Sequence, residues 1–204
     1  MEKKRILVLY YSLYGNVFQM AGEVVNGIKE IPGAEPVLRR VPELMPEKVI
    51  LENEPMRQAQ AMQQDVPLAL LDDLSGCDGL VLGAPTRFGN MCSQMRNFLD
   101  QTGQIWQQGG LIGKPAGMFT STGTLHGGQE TTLVSMSLTL LHHGMLIVGV
   151  PYSVPELFTT KTGGTPYGAS HLAGQGLTPL SKEEKNVCRA LGKRVAEITL
   201  KLKR

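Results

Sequence analysis

The sequence predicts a doubly wound α/β fold, a five-stranded parallel sheet with helices on both faces. Three observations predict it. Apolar runs of strand length alternate with segments whose apolar residues recur at three- and four-residue steps. The runs are continuous rather than alternating, as strands covered on both faces require. Short polar turns rich in Gly, Ser, Thr and Asn stand directly after a strand and before a helical pattern, the rhythm that right-handed crossovers close into a parallel sheet.

The elements follow in order. Residues 6–11, ILVLYY, form the first strand, broken by Ser12. From Asn16 to about Glu30, Val17, Met20, Ala21, Val24 and Ile28 define one buried helical face, which Pro32-Gly33 ends. Residues 35–41 alternate weakly and form the second strand. Pro42, Pro46, Pro55 and Pro67 then punctuate a polar, Gln-rich excursion over about 42–67, longer than an ordinary connection and expected to be a partly helical insert. Residues 79–84 form the third strand, and the spacing of Met91, Met95, Phe98 and Leu99 predicts a helix after it. Lys114-Pro115 introduces the fourth strand at 116–120. Gly127-Gly128 opens a helix with Leu133, Met136, Leu140 and Leu141 on its inner side, and 145–150 form the fifth strand. A second excursion covers about 151–180. Ser181 to Glu184 then has capping-box spacing before a terminal helix with Val187, Leu191, Ile198 and Leu202 inward. No repeat, low-complexity tract or linker divides the chain, so 1–204 reads as one domain carrying two excursions.

Composition narrows the function classes. The 204 residues are 42% hydrophobic and 19% charged, an ordinary globular balance. A net charge of +2 with scattered basic residues gives no nucleic-acid surface. Glu2 to Arg5 lead at once into the first strand, too short for a signal core or a membrane span, so a cytoplasmic protein is expected. Cys77, Cys92 and Cys188 are odd in number and widely spaced, which leaves neither a disulfide framework nor a CxxC pair, and no metal site is expected.

In such a sheet ligands bind outside the strand carboxyl ends. Neither GxxxxGK[ST] nor GxGxxG follows the first strand, and Tyr11-Ser12 and Ala84-Pro85-Thr86 stand where a magnesium site would need carboxylates. What remains is a monophosphate held by hydroxyls and backbone N–H groups of the Ser12 to Val17 turn at a helix N-terminus. Ser and Asn before a helix serve equally as caps with no ligand. Pro85, Thr86, Arg87, Phe88, Gly89 and Asn90 set a planar cation, an aromatic ring and a permissive glycine at the next strand end, suited to an isoalloxazine edge; a surface ion pair is the commoner fate of a lone arginine. Ser121, Thr122, Gly123 and Thr124 add donors suited to the pyrimidine end of a flavin, and the stretch following Pro151 is the fourth loop expected at the same edge.

The strings VLYYSLYGN, GAPTRFGNMCSQMRNFLDQTG, STGT with GGQE, LLHHGM and GGTPYGAS occur in that order across essentially the whole chain. On these strings the chain resembles the WrbA family of tetrameric, FMN-dependent NAD(P)H:quinone oxidoreductases. That resemblance implies a flavodoxin-like sheet of order 2-1-3-4-5, FMN as cofactor and NAD(P)H as cosubstrate. It implies a quinone reduced by two electrons to hydroquinone in ping-pong fashion, and a homotetramer. It further implies that Ser12, Leu13, Tyr14, Gly15, Asn16 and Val17 bind the phosphate and ribityl chain, and that Thr86, Arg87, Phe88 and Gly89 border the ring. Ser121, Thr122, Gly123, Thr124, Leu125 and His126 would complete the pocket, and His142 would line it. Tyr14 matches a position contacting the nicotinamide, and Trp106 one lining the quinone side. The chain departs from the family at Asn16, a position often filled by histidine. Two other classes remain on sequence grounds: a flavodoxin-type electron carrier, which is usually strongly acidic whereas this chain is not, and a regulatory binding protein.

Overall fold

The computed structural model describes residues 2–202. Its elements are β1 (Lys4–Tyr10), α1 (Asn16–Lys29), β2 (Ala34–Arg40), α2 (Glu47–Glu52), α3 (Glu54–Met62), α4 (Leu71–Ser75), β3 (Gly79–Arg87), β4 (Asn90–Met91), α5 (Ser93–Asp100), α6 (Gly103–Gln107), β5 (Pro115–Thr122), α7 (Gln129–His142), β6 (Leu146–Ile147), α8 (Glu156–Thr159), β7 (Ala169–Leu172) and α9 (Lys182–Lys201).

Strands run in the order β2-β1-β3-β5-β6, all parallel, with β1 central enough to pair with both β2 and β3. Side chains alternate across β1. Ile6, Val8 and Tyr10 enter the core beneath α1 and α9, while Leu7, Leu9 and Tyr11 enter the opposite core with Leu80, Leu82, Met95 and Leu133. Burial on both faces is why the run carries no polar alternation. Each aliphatic side chain among them contributes about 1.5–3 kcal/mol on removal from water.

The five-strand expectation is corrected to seven. β4 folds back on β3 as a short antiparallel pair, Thr86 opposite Met91 and Arg87 opposite Asn90. The expected fifth strand at 145–150 is reduced to Leu146–Ile147, which pairs with Pro115 and Ala116. The remaining positions beside β5 are filled by β7, whose Ala169 to Leu172 pair with Phe119 to Thr122. The chain leaves the sheet after Val148, whose N–H still reaches Ala116 O at 2.8 Å. Pro151, Pro155 and Pro166 lack the N–H a ladder needs, and the strand resumes only beyond Gly168. β3 and β5 also run further than expected, so that Pro85 to Arg87, Ser121 and Thr122 lie in strands rather than in the turns after them.

Helix faces follow the 3.6-residue period with two exceptions. Val17, Met20, Ala21, Val24 and Ile28 of α1 are all buried, and so are Leu133, Met136 and Leu140 of α7. Leu141, expected inward, is exposed together with Val134 and Leu138: α7 has a second apolar stripe that one chain does not cover. In α9, Val187 and Leu191 are buried and Ile198 half-buried, but Leu202 lies past the helix end and is exposed. The 42–67 stretch holds α2 and α3.

α1 and α9 approach backbone to backbone. A Cβ on Gly27 would stand 2.1 Å from Arg189 O, and one on Gly192 would stand 2.3 Å from Val24 O, so only glycine fits at either crossing point. The Gly27→Ala variant sets two effects against each other: helix propensity favours alanine by about 1 kcal/mol, while forcing the helices apart costs about 1–3 kcal/mol. Urea unfolding is expected to show net destabilisation with an unchanged m value; a midpoint at or above wild type refutes the close packing.

Candidate functional site

Each of the strand ends β1, β3 and β5 delivers a turn to the same edge of the sheet, where a cavity of about 400 Å³ opens, within the range of small-molecule sites. Ser12, Leu13, Tyr14, Asn16 and Val17 line it from the first turn, Pro85, Thr86 and Arg87 from β3, and Ser121, Thr122 and Gly123 from β5. These are the segments that the sequence brought forward, now side by side.

The α1 end of the cavity presents uncapped backbone donors. Gly15 is the N-cap at φ +85° and no side chain caps the helix, so the first-turn N–H groups and the positive end of the helix dipole are left to a ligand or to solvent. The left-handed φ strongly favours glycine, and a Cβ there would stand 3.0 Å from Leu177 Cδ1. Ser12 is fixed from below: the buried Gln63 amide donates to Ser12 O at 2.8 Å and to Ala59 O at 3.0 Å. Gln63 closes α3, which shows what the first excursion does: it braces the turn before α1.

The β3 end differs. Thr86 Oγ1 accepts from Thr132 Oγ1 at 2.8 Å and from the Gly89 N–H at 3.3 Å, tying the turn to α7. Arg87 is exposed, donates only locally to Thr86 O at 2.9 Å, and forms no ion pair among the described residues; its guanidinium remains available at the rim. Phe88 is fully exposed and stands at φ +53°, a conformation that costs a side-chain-bearing residue about 1–2 kcal/mol. Beneath this rim, Tyr11 OH donates to Glu43 Oε2 at 2.5 Å and Gln94 Nε2 to Glu43 Oε1 at 2.8 Å. Burial opposes ionisation of Glu43, but these bonds and the N–H groups of Leu44 and Met45 outweigh it and hold its carboxyl below the usual range. Burial and the same carboxylate push the Tyr11 phenol up, so it stays protonated.

Not every expected residue lines this cavity. Gly15, Phe88 and Gly89 stand beside it, and Thr124, Leu125 and His126 lie on the exposed turn before α7. His142 is exposed at the end of α7, where its carbonyl accepts from Trp106 Nε1 at 2.9 Å. Trp106 is itself largely exposed and away from the cavity of its own chain. Its neighbour His143, not His142, is the buried one: Nε2 meets Thr102 Oγ1 at 2.9 Å, and burial lowers its pKa.

Asn53 and Pro55 escaped sequence reasoning, while Ala173, Gly174 and Gly176 fall in the stretch following Pro151 that the sequence brought to this edge without singling out residues. Asn53 is the N-cap of α3, its Oδ1 accepting the Met56 N–H at 3.1 Å. An Asn two residues before a Pro is a helix-start signal, legible as a cap but not as a wall. Ala173, Gly174 and Gly176 belong to the segment after β7, which had no strand assigned before it.

Three comparisons bear on this edge. Residues 5–158 match the family described as NADPH-dependent FMN reductase. The chain belongs to that family. The match begins at β1 and ends in α8, and so contains every cavity wall except the residues after β7. Among relatives of the chain, a protein named NAD(P)H dehydrogenase (quinone) from Solidesulfovibrio magneticus is 50% identical over 201 residues, 97% of this chain and 98% of its own. One of the same name from Geotalea daltonii is 49% identical over the same shares. These bear out the resemblance read from the motifs. A solved WrbA-like flavodoxin from Agrobacterium tumefaciens, 22% identical, superposes with a TM-score of 0.68 over 98% of this chain and all of its own, and an archaeal flavodoxin, 18% identical, with 0.62 over 96% and 99%. At such identities the likeness is one of fold, and the fold is flavodoxin-like.

Behind the cavity, a buried carboxylate marks the start of α9. Glu184 accepts N–H groups of Leu172 and Ser181 at 2.9 and 2.7 Å and meets His171 Nδ1 at 3.0 Å. Burial opposes its charge, but the bond from His171 and the two N–H donors prevail and hold it at about 2, against an ordinary 4.5. The folded-state value lies below the unfolded one. Its stabilisation is therefore complete above about pH 5 and lost as pH falls towards 2, amounting to roughly 3 kcal/mol at about 1.4 kcal/mol per pKa unit. Urea midpoints measured from pH 6 to pH 2.5 are expected to fall more steeply for wild type than for Glu184→Gln; parallel pH profiles refute the assignment.

Proposed function

We propose that this chain is an FMN-dependent NAD(P)H dehydrogenase that reduces quinones by two electrons. The observation that carries the reading is the uncapped N-terminus of α1 opening into a cavity whose other walls come from the ends of β3 and β5. The names and 49–50% identity of the full-length relatives support it.

The residues present fit the cofactor. Ser12, Leu13, Tyr14, Gly15, Asn16 and Val17 hold the phosphate and ribityl chain: a hydroxyl and first-turn N–H groups offer donors and no lysine is needed. Pro85, Thr86 and Arg87 would border the ring, and Ser121, Thr122 and Gly123 would offer it hydroxyl and N–H donors. When bound, FMN supplies hydride chemistry at its ring N5. The protein's part is to bind, orient and exclude. Tyr14 forms an apolar wall against the nicotinamide, Arg87 offers a cation to the ring edge or to a substrate carbonyl, and the cosubstrates occupy the mouth in turn, giving ping-pong kinetics.

Phe88, Thr124, Leu125, His126, Trp106 and His142 serve the mouth of the site rather than its floor, and a homotetramer brings those of one subunit towards the flavin of another. The exposed stripe Val134, Leu138 and Leu141 on α7, with Leu146, Ile147 and Ile112 also exposed, supports such an assembly, since clustered apolar side chains at a surface mark an interface. The chain is read as cytoplasmic: Cys77, Cys92 and Cys188 are buried free thiols, as a reducing compartment allows. Among the described residues no helix is long and apolar enough to cross a membrane.

Purified protein is expected to sediment as a tetramer and take up FMN. Mixed anaerobically with NADH it should lose its visible flavin absorbance, and benzoquinone should restore it. A flavin that stays oxidised until a separate reductase is added indicates an electron carrier, and absence of FMN uptake overturns the reading. In Phe88→Gly the left-handed φ suits the new residue, so thermal stability is expected to be retained, while the KM for quinone rises about tenfold, equivalent to about 1.4 kcal/mol of lost contact. A KM equal to wild type removes Phe88 from the substrate wall.

A further inference from the structure

Residues 173–180, between β7 and α9, form a strap across the N-terminal end of α1, and one buried side chain fastens both of its ends. Glu184 is 1% exposed. Its Oε1 accepts the N–H of Leu172, just before the strap, and its Oε2 the N–H of Ser181, just after it. A capping box requires only the second of these bonds. The first, and the His171 ring at Oε2, serve no helix cap.

Between its fastened ends the strap is bent at Gly174, φ +60°, and Gly176, φ +90°, and residues 174–177 are exposed. Its middle is tied to α1. Asn16 Nδ2 donates to Gly176 O at 2.8 Å, Asn16 Oδ1 accepts the Thr178 N–H at 3.1 Å, and Gln19 Nε2 donates to Thr178 O at 3.2 Å. Ala173, Gly174 and Gly176 line the same cavity as Ser12, Asn16 and Val17. The Asn16 amide is thus engaged with the strap through both its polar atoms, and what this residue offers a ligand directly is its backbone N–H at the helix start.

We propose that Glu184 is a positioning residue for the phosphate end of the cofactor cavity, an inference that rests on the FMN reading above. It touches no ligand. It fixes the line along which the strap crosses α1, and Asn16 sets the strap's height, so that the strap backbone closes the cavity beside the first-turn N–H groups. An isosteric amide cannot do this. The side chain introduced by Glu184→Gln carries one acceptor oxygen and one donor nitrogen where the N–H groups of Leu172 and Ser181 both donate, and one end of the strap would be released.

The apoprotein is titrated with FMN and with riboflavin, which lacks the phosphate, by quenching of flavin fluorescence; amide hydrogen exchange is followed on the same samples. Glu184→Gln is expected to weaken FMN binding about tenfold, the equivalent of one hydrogen bond to a charged group, and to leave riboflavin binding nearly unchanged. Amides of 173–178 should exchange faster while those of β1 and β3 keep their rates. Asn16→Ala should reproduce the selective loss, and the double variant should lose less than the sum of the two. Should Glu184→Gln fail to fold, Asn16→Ala carries the test, since it frees the strap and leaves the start of α9 intact. Equal losses for both flavins, or unchanged FMN affinity, overturn the proposal. A wild type that binds neither flavin overturns the FMN reading itself, and the two failures are told apart.

Discussion

The position of the first turn of α1 governs the rest of the ligand edge. That turn presents uncapped N–H groups beside the cavity, and such donors can serve a ligand only if the helix carrying them is held still. Three constraints hold it. Ile6, Val8 and Tyr10 bury the helix face against β1; the contacts at Gly27 and Gly192 bring α9 to backbone distance; and the strap 173–180 ties the turn itself through Asn16. The first is generic hydrophobic packing. The other two are stereospecific, since a methyl group at either glycine, or a shorter side chain at Asn16, removes them.

The two excursions acquire a shared purpose in this light. The first brings Gln63 under Ser12 and Asn53 and Pro55 to the cavity wall. The second interrupts the strand position beside β5 and returns as β7, whose continuation is the strap. Each therefore ends at the α1 side of the cavity. The β3 side receives less support: Arg87 and Phe88 project from a short hairpin, one exposed, the other in a backbone conformation a phenylalanine adopts only at a cost. A rim of this kind suits transient occupants, while the braced end suits a cofactor that stays.

The chemistry of the family is consistent with this asymmetry. Cofactor chemistry asks the protein for orientation rather than for acids and bases, and the titrating groups near the cavity are indeed structural. Glu43 and Glu184 remain charged because buried donors surround them, and the Tyr11 phenol remains neutral because it donates to Glu43.

The sequence by itself determined the α/β class, the first four strand positions, the buried faces of α1 and most of α7, the capping box at Ser181, and the three turns that meet at the ligand edge. All of these follow from local periodicity and turn chemistry, or from the rule that ligands sit at strand carboxyl ends. Only the tertiary structure decided that the fifth strand position is shared by β6 and β7, that Leu141 faces outward, that Trp106 and His142 lie away from their own chain's cavity, and that Asn53 and the strap wall it. Those facts depend on contacts between residues distant in the chain. A two-residue strand carries no period, and a glycine that admits a neighbouring helix reads like any other glycine until the two backbones meet.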